Sequence, residues 1–121
     1  MMLLDSNIII YSIKPEYSSL RVLIEQNNPY VSAISYVEVL GYHNLRQKDK
    51  QDFTEFFENA PMIPLTQTVL DKAVQLRQQK KMSIGDSIVA STALLRGLAL
   101  VTANTKDFQW IPELKLLNPM L

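Results

Sequence analysis

The chain has 121 residues, 47% of them apolar and none of them cysteine. That length suits one compact domain, and the apolar share fills a core and excludes a disordered chain; the missing thiols exclude disulfides, thiolate zinc sites and a cysteine nucleophile. Lys plus Arg and Asp plus Glu number 12 each, so whole-molecule charge gives no sign of nucleic-acid binding and any such surface must be local.

In chain order, Met2 to Leu4 reads as a short buried strand that meets a turn at Asp5-Ser6-Asn7. Ile8 to Ile13 reads as a helix stopped by Lys14-Pro15, and Ser18 to Gln26 as a second, closed by Asn27-Asn28-Pro29. Tyr30 to Ala33 is a second strand. Ser35 then opens a helix to about Leu45, and Asp49 to Asn59 is helical again. Met62 to Leu65, flanked and interrupted by Pro61 and Pro64, makes a short edge strand. Thr66 caps a helix through Arg77; Ser83 caps another that runs to Arg96 and stops at Gly97. Leu98 to Thr102 is a buried strand, Asn104 to Phe108 a turn, and Leu114 to Leu117 a last strand. Alternating strands and helices imply an α/β fold with a parallel sheet covered on both faces. No repeat or linker divides the chain, so one domain over 1–121 is expected. No apolar run approaches the ~20 residues of a membrane helix. The N-terminus lacks the basic region and cleavage site of a signal peptide. A soluble, cytoplasmic domain is the expectation.

Open parallel sheets bind ligands at the carboxyl ends of their strands. Asp5 follows the first strand directly, and Asn104 and Asp107 follow the Leu98 strand. Glu38 and Asp86 each fall in the first turn of a predicted helix. All four carboxylates then face one end of the sheet. Such a group repels itself, by about 1 kcal/mol per pair in bulk water and about 4 kcal/mol at an effective dielectric of about 20. Raised pKa values or a bound cation relieve that repulsion. With oxygen donors alone, and His43 the lone histidine, Mg²⁺ or Mn²⁺ fits better than Zn²⁺. Such an ion activates water against a phosphate.

Plainer readings stand beside this one. Ser35 with Glu38, and Ser83 with Asp86, have the spacing of capping boxes. Asp5-Ser6-Asn7 makes an ordinary turn, and Asp107 a loop residue. The small-residue face Asp86, Ala90, Ala93 and Gly97 lets neighbours approach an otherwise apolar helix. Asp86 sits at the start of that face, either at a cost that a partner must offset or simply in solvent. Ser6, Asn7, Thr102 and Asn104 are candidates to orient carboxylates or waters. Arg77, Lys80 and Lys81, and Arg46, Lys48 and Lys50, suit substrate phosphates or a solvated helix face. Tyr11 and Trp110 suit base stacking or core packing.

At these residues the sequence resembles the PIN-domain nucleases and, among them, the VapC-type toxins of toxin–antitoxin pairs. The resemblance is carried by Leu-Leu-Asp-Ser-Asn at 3–7, Ser-Tyr-Val-Glu at 35–38, Gly-Asp-Ser-Ile-Val-Ala-Ser-Thr-Ala-Leu at 85–94 and Val-Thr-Ala-Asn-Thr-Lys-Asp-Phe at 101–108. It implies a three-layer PIN sandwich and a Mg²⁺- or Mn²⁺-dependent endoribonuclease. Asp5 and Asp86 match the central metal ligands, Glu38 the acid between them and Asp107 the last acid. Asn104 matches a polar position near the site and Ser6 the hydroxyl beside the first Asp. Ala103 departs from the arginine that many relatives carry. The resemblance also implies a homodimer and a small antitoxin that inserts into the acidic site. The alternative is a PIN-like domain that binds RNA or a partner without efficient cleavage.

Overall fold

Short apolar runs with one side chain to each face make strands buried on both sides. In the computed structural model, which describes residues 1–120, the N-terminal run becomes β1 (Met2–Leu4). It is the middle strand of five. β2 (Tyr30–Ser32) and β3 (Met62–Ile63) lie to one side of it, and β4 (Ala99–Val101) and β5 (Leu116–Leu117) to the other. The order is β3-β2-β1-β4-β5 and every pairing is parallel. Leu4 lies between Val31 and Val101 in register. The edge position expected for the proline-flanked strand is where β3 sits.

The helices are α1 (Ser6–Ser12), α2 (Ser18–Asn27), α3 (Ala33–Leu40), α4 (Gln47–Asn59), α5 (Gln67–Gln79) and α6 (Ile84–Arg96). Strand alternation divides the core. Leu3 and Leu100 pack with Leu76 of α5, with Val89, Ala90 and Ala93 of α6, and with Phe108. Leu4 and Val101 turn to the other face, against Ile8 and Ile9 of α1, Leu20 of α2, Val39 of α3, and Phe53 and Phe57 of α4. The result is a three-layer α/β sandwich, as the resemblance implied. No helix among the described residues is long and apolar enough to cross a membrane.

Several helix boundaries differ from the sequence reading, those of α3 and α1 most usefully. α3 begins two residues early because Ser32, with extended backbone, does the capping: its Oγ accepts the Ile34 N–H at 3.2 Å. It also ends at Leu40, and a turn at Gly41 leads into irregular chain before α4. His43, which falls inside the helix expected to reach about Leu45, is therefore exposed beyond it. α1 starts at Ser6 rather than Ile8, with Asp5 as its extended N-cap residue. Ser83 and Gly97 bound α6 as expected: Ser83 Oγ accepts the Asp86 N–H at 3.0 Å, and Gly97 takes the left-handed conformation at φ 64°.

Phe108 is wholly buried at the end of the turn that carries Asp107. Phe108→Ala should cost about 3–5 kcal/mol by leaving a cavity. An unchanged denaturant m-value with a lowered urea midpoint would show that cost; an unchanged midpoint would contradict this packing.

Candidate metal centre

A helix that packs back across a parallel sheet runs antiparallel to the strands, so it starts at their carboxyl ends. This places Asp86. α6 ends at Gly97 and leads through Leu98 into β4, so its first turn lies at the same end as Asp5, directly after β1. Thr102 follows β4 there, and α3 leaves β2 from the same end.

Each acid has distinct surroundings. Asp5 is 5% exposed. It occupies the N-cap position of α1, yet its carboxylate caps nothing. Instead Oδ2 accepts the Thr102 hydroxyl at 2.8 Å, while the Asp5 N–H donates to the Val101 carbonyl at 3.0 Å. Thr102 is fixed in turn, its Oγ1 accepting the Asn104 N–H at 3.0 Å. Glu38 is not a cap either, since Ser32 fills that role. Its Oε1 stands 2.7 Å from Ser6 Oγ, and Ser6 Oγ stands 2.8 Å from Ser35 Oγ. A hydroxyl has one proton; the carboxylate can only accept, so Ser6 donates to Glu38 and accepts from Ser35. Asp86 is half-buried. Asp107 is exposed on the short 3-10 turn Thr105–Asp107.

The four charges act on one another. Burial raises the Asp5 carboxyl above the usual range, against hydrogen bonds from the Thr102 hydroxyl and the Ser6 backbone, and the negative charges of Glu38 and Asp107 add to the rise. Burial also raises Asp86, to about 6, and the charges of Asp5, Asp107 and Glu38 push the same way. None of the four is held in an ion pair: the one ion pair among the described residues joins Arg46 to Asp49, on α4 and its cap. The acids face one another at the range of repulsion rather than of shared ligation. Among the described residues no three acidic or histidine side chains stand in ligating geometry. The donor set itself, carboxylates and hydroxyls without sulfur or imidazole, suits a hard cation such as Mg²⁺ or Mn²⁺.

Asn7 and Asn104 are exposed at the rim. Arg77, Lys80, Lys81 and Lys106 line one cleft together with Asp86 and Asp107. The Arg77 Nε–H donates to the Met82 carbonyl at 3.1 Å. Lys80 Nζ lies 5.6 Å from the Trp110 ring centroid, and the Trp110 indole N–H donates to the Asp107 carbonyl at 3.0 Å. Trp110 therefore braces the acidic turn, and it packs in part on the core. Tyr11 packs against Tyr17 on the opposite face. Arg46 and Lys48 line a separate groove with Ile10, Val39 and Tyr42. The sequence alone reads Ser35 as a helix start and gives Gly85 no part. Both touch the Glu38 carboxylate's surroundings, and no spacing rule encodes a meeting of α3, α1 and α6.

The PIN-domain family model matches residues 2–114. The ribonuclease VapC2 of Rickettsia felis is 30% identical over 128 residues, covering 96% of each chain. A toxin–antitoxin complex from Klebsiella pneumoniae contains a chain that is 28% identical, covers 98% of both and superposes with a TM-score of 0.77. A DNA-bound VapBC from Salmonella typhimurium gives a TM-score of 0.85 at 21% identity, over 98% of this chain and 99% of its own, a likeness of fold. With its parallel five-stranded sheet and its acids at the strand ends, this chain belongs to the PIN-domain family, among the members of VapC type.

Proposed function

We propose that the chain, acting as a single PIN domain, is a Mg²⁺- or Mn²⁺-dependent endoribonuclease and the toxin of a toxin–antitoxin pair. What supports this reading is the mutual charge repulsion of Asp5, Glu38, Asp86 and Asp107, none of them held in an ion pair, in a chain that the PIN-domain family model matches. Asp5, Glu38, Asp86 and Asp107 would hold the ion. When bound, it supplies a water of lowered pKa and offsets charge on the phosphate under attack.

The chain's own residues do the rest. Thr102 holds Asp5 in one orientation, and Ser6 does the same for Glu38. Asn7 and Asn104 are polar partners for substrate or water at the rim. Lys80, Lys81, Lys106 and Arg77 bind backbone phosphates beside the acids and fix the strand's register without reading its sequence. Hydrolysis adds water across one P–O bond and leaves two RNA ends.

RNA as substrate is supported by the likeness to a relative named as a ribonuclease. A small antitoxin partner is supported by the likeness to chains solved in toxin–antitoxin complexes. A homodimer and action in the cytoplasm complete the proposal. RNA cleavage by the purified chain, with Mn²⁺ and then with excess chelator, tests it. Cleavage that survives chelation would sink the metal reading. Tight RNA binding with no cleavage under either condition would favour the RNA-binding alternative instead. Lys80→Gln with Lys81→Gln should weaken RNA binding on any sequence and flatten the log–log salt dependence by roughly 0.7 for each phosphate no longer neutralised. An unchanged slope would remove these lysines from the interface.

A further inference from the structure

Gly85 is buried in the first turn of α6. Its φ is not positive, unlike that of Gly97, so its backbone suits any residue and glycine's special freedom is not in use. Alanine favours a helix more than glycine does. The reason for a bare backbone is space. A Cβ at position 85 would collide with Glu38 Oε2, and would lie 2.9 Å from Glu38 Cδ and 3.0 Å from Oε1. On its other side the same carboxylate meets the Ser6 hydroxyl at 2.7 Å. The Glu38 head therefore occupies a slot between α1 and the start of α6.

We infer that Gly85 is a positioning residue, whose missing side chain lets the Glu38 carboxylate lie against α6 beside Asp86. The inference rests on the ion site proposed above and adds a residue that touches neither ion nor substrate. The neighbour that a Cβ would displace is the end of a flexible side chain on an exposed residue. Gly85→Ala should thus move Glu38 toward solvent and leave the helix in place.

Gly85→Ala, Glu38→Asp and the double variant test this. Gly85→Ala should melt no lower than the parent protein, yet bind Mn²⁺ about tenfold more weakly and lose RNA cleavage in step. In the Glu38→Asp background, where the side chain is one methylene shorter, adding Gly85→Ala should change Mn²⁺ affinity less than about twofold. Equal costs in both backgrounds, or a markedly lowered melting temperature, would mean that Gly85 serves the fold and would overturn the assignment. A crystal structure of Gly85→Ala gives a readout free of activity. Glu38 should leave Ser6; a Ser6–Glu38 hydrogen bond that persists would overturn the inference. If the parent chain binds no Mn²⁺ and cuts no RNA, the ion-site reading fails, and that structure still decides the steric claim.

Discussion

Asp86→Asn and Asp5→Asn should each lower metal-dependent RNA cleavage by more than about a hundredfold, the upper end of what changes to ligand-supporting groups cost. Both substitutions keep the size of the side chain and remove its charge. Their effect on the metal-free fold should have the opposite sign. Asp86 is half-buried, unpaired and repelled by three neighbours, so neutralising it relieves desolvation and repulsion together. Asp86→Asn should therefore melt at or above the parent temperature without added metal. Asp5→Asn should do the same while its amide oxygen still accepts from Thr102. Lost activity with unchanged or higher stability separates a functional charge from a structural one. Full metal-dependent cleavage by either variant would remove that residue from the ion site.

The second large effect is a pH dependence of metal binding. A carboxylate must be ionised to hold the ion, so binding competes with protons. With Asp86 raised to about 6 and Asp5 also raised, Mn²⁺ affinity should fall steeply as pH drops through about 6. The metal-free fold responds the other way. Folded Asp86 binds a proton at a pH where the unfolded chain, near 3.8, does not. Between those values the native state holds more protons, so this group makes stability rise as pH falls. Above about 6 the carboxylate is charged in both states and its burial works against folding. An ion at a hundred times its Kd adds about 2.7 kcal/mol, so the melting-temperature gain from Mn²⁺ should be clear at pH 7.5 and largely gone at pH 5. A gain of equal size at both would place the ion elsewhere.

The sheet was legible in the sequence because its strands are short, apolar and bounded by turn residues. Met2 to Leu4 and the proline-flanked β3 needed only that pattern. Asp5 and Asp107 were legible as residues just past strands. Asp86 was harder, since its helix leads into a strand; the antiparallel run of α6 resolves it. Glu38 was expected in the first turn of a helix opened by Ser35, but α3 starts at Ala33 and carries Glu38 in its second turn. Ser35 and Glu38 imitate a capping box, but Ser32 has the extended backbone that lets a side chain reach the Ile34 N–H. That shift frees Ser35 to face Ser6. The Ser6–Glu38 and Glu38–Gly85 approaches join three helices distant in sequence, and periodicity within one helix carries no record of them.

The strand that leads into Asp5 is completed by a neighbour far along the sequence. β1 stands in the middle of the sheet, and its β4 neighbour is Ala99–Val101, with Thr102 next in line to hold Asp5. During synthesis from the N-terminus, a growing chain that stops before α6 has Asp5 and Glu38 but neither Asp86 nor the β4 edge that seats Asp5. Loop closure over the 97-residue separation of Asp5 and Thr102 must precede the seating of Asp5. A fragment that stops before α6 thus keeps Asp5 and Glu38 without the partners that surround them in the fold, and Asp5 there lacks the Thr102 hydroxyl that orients it.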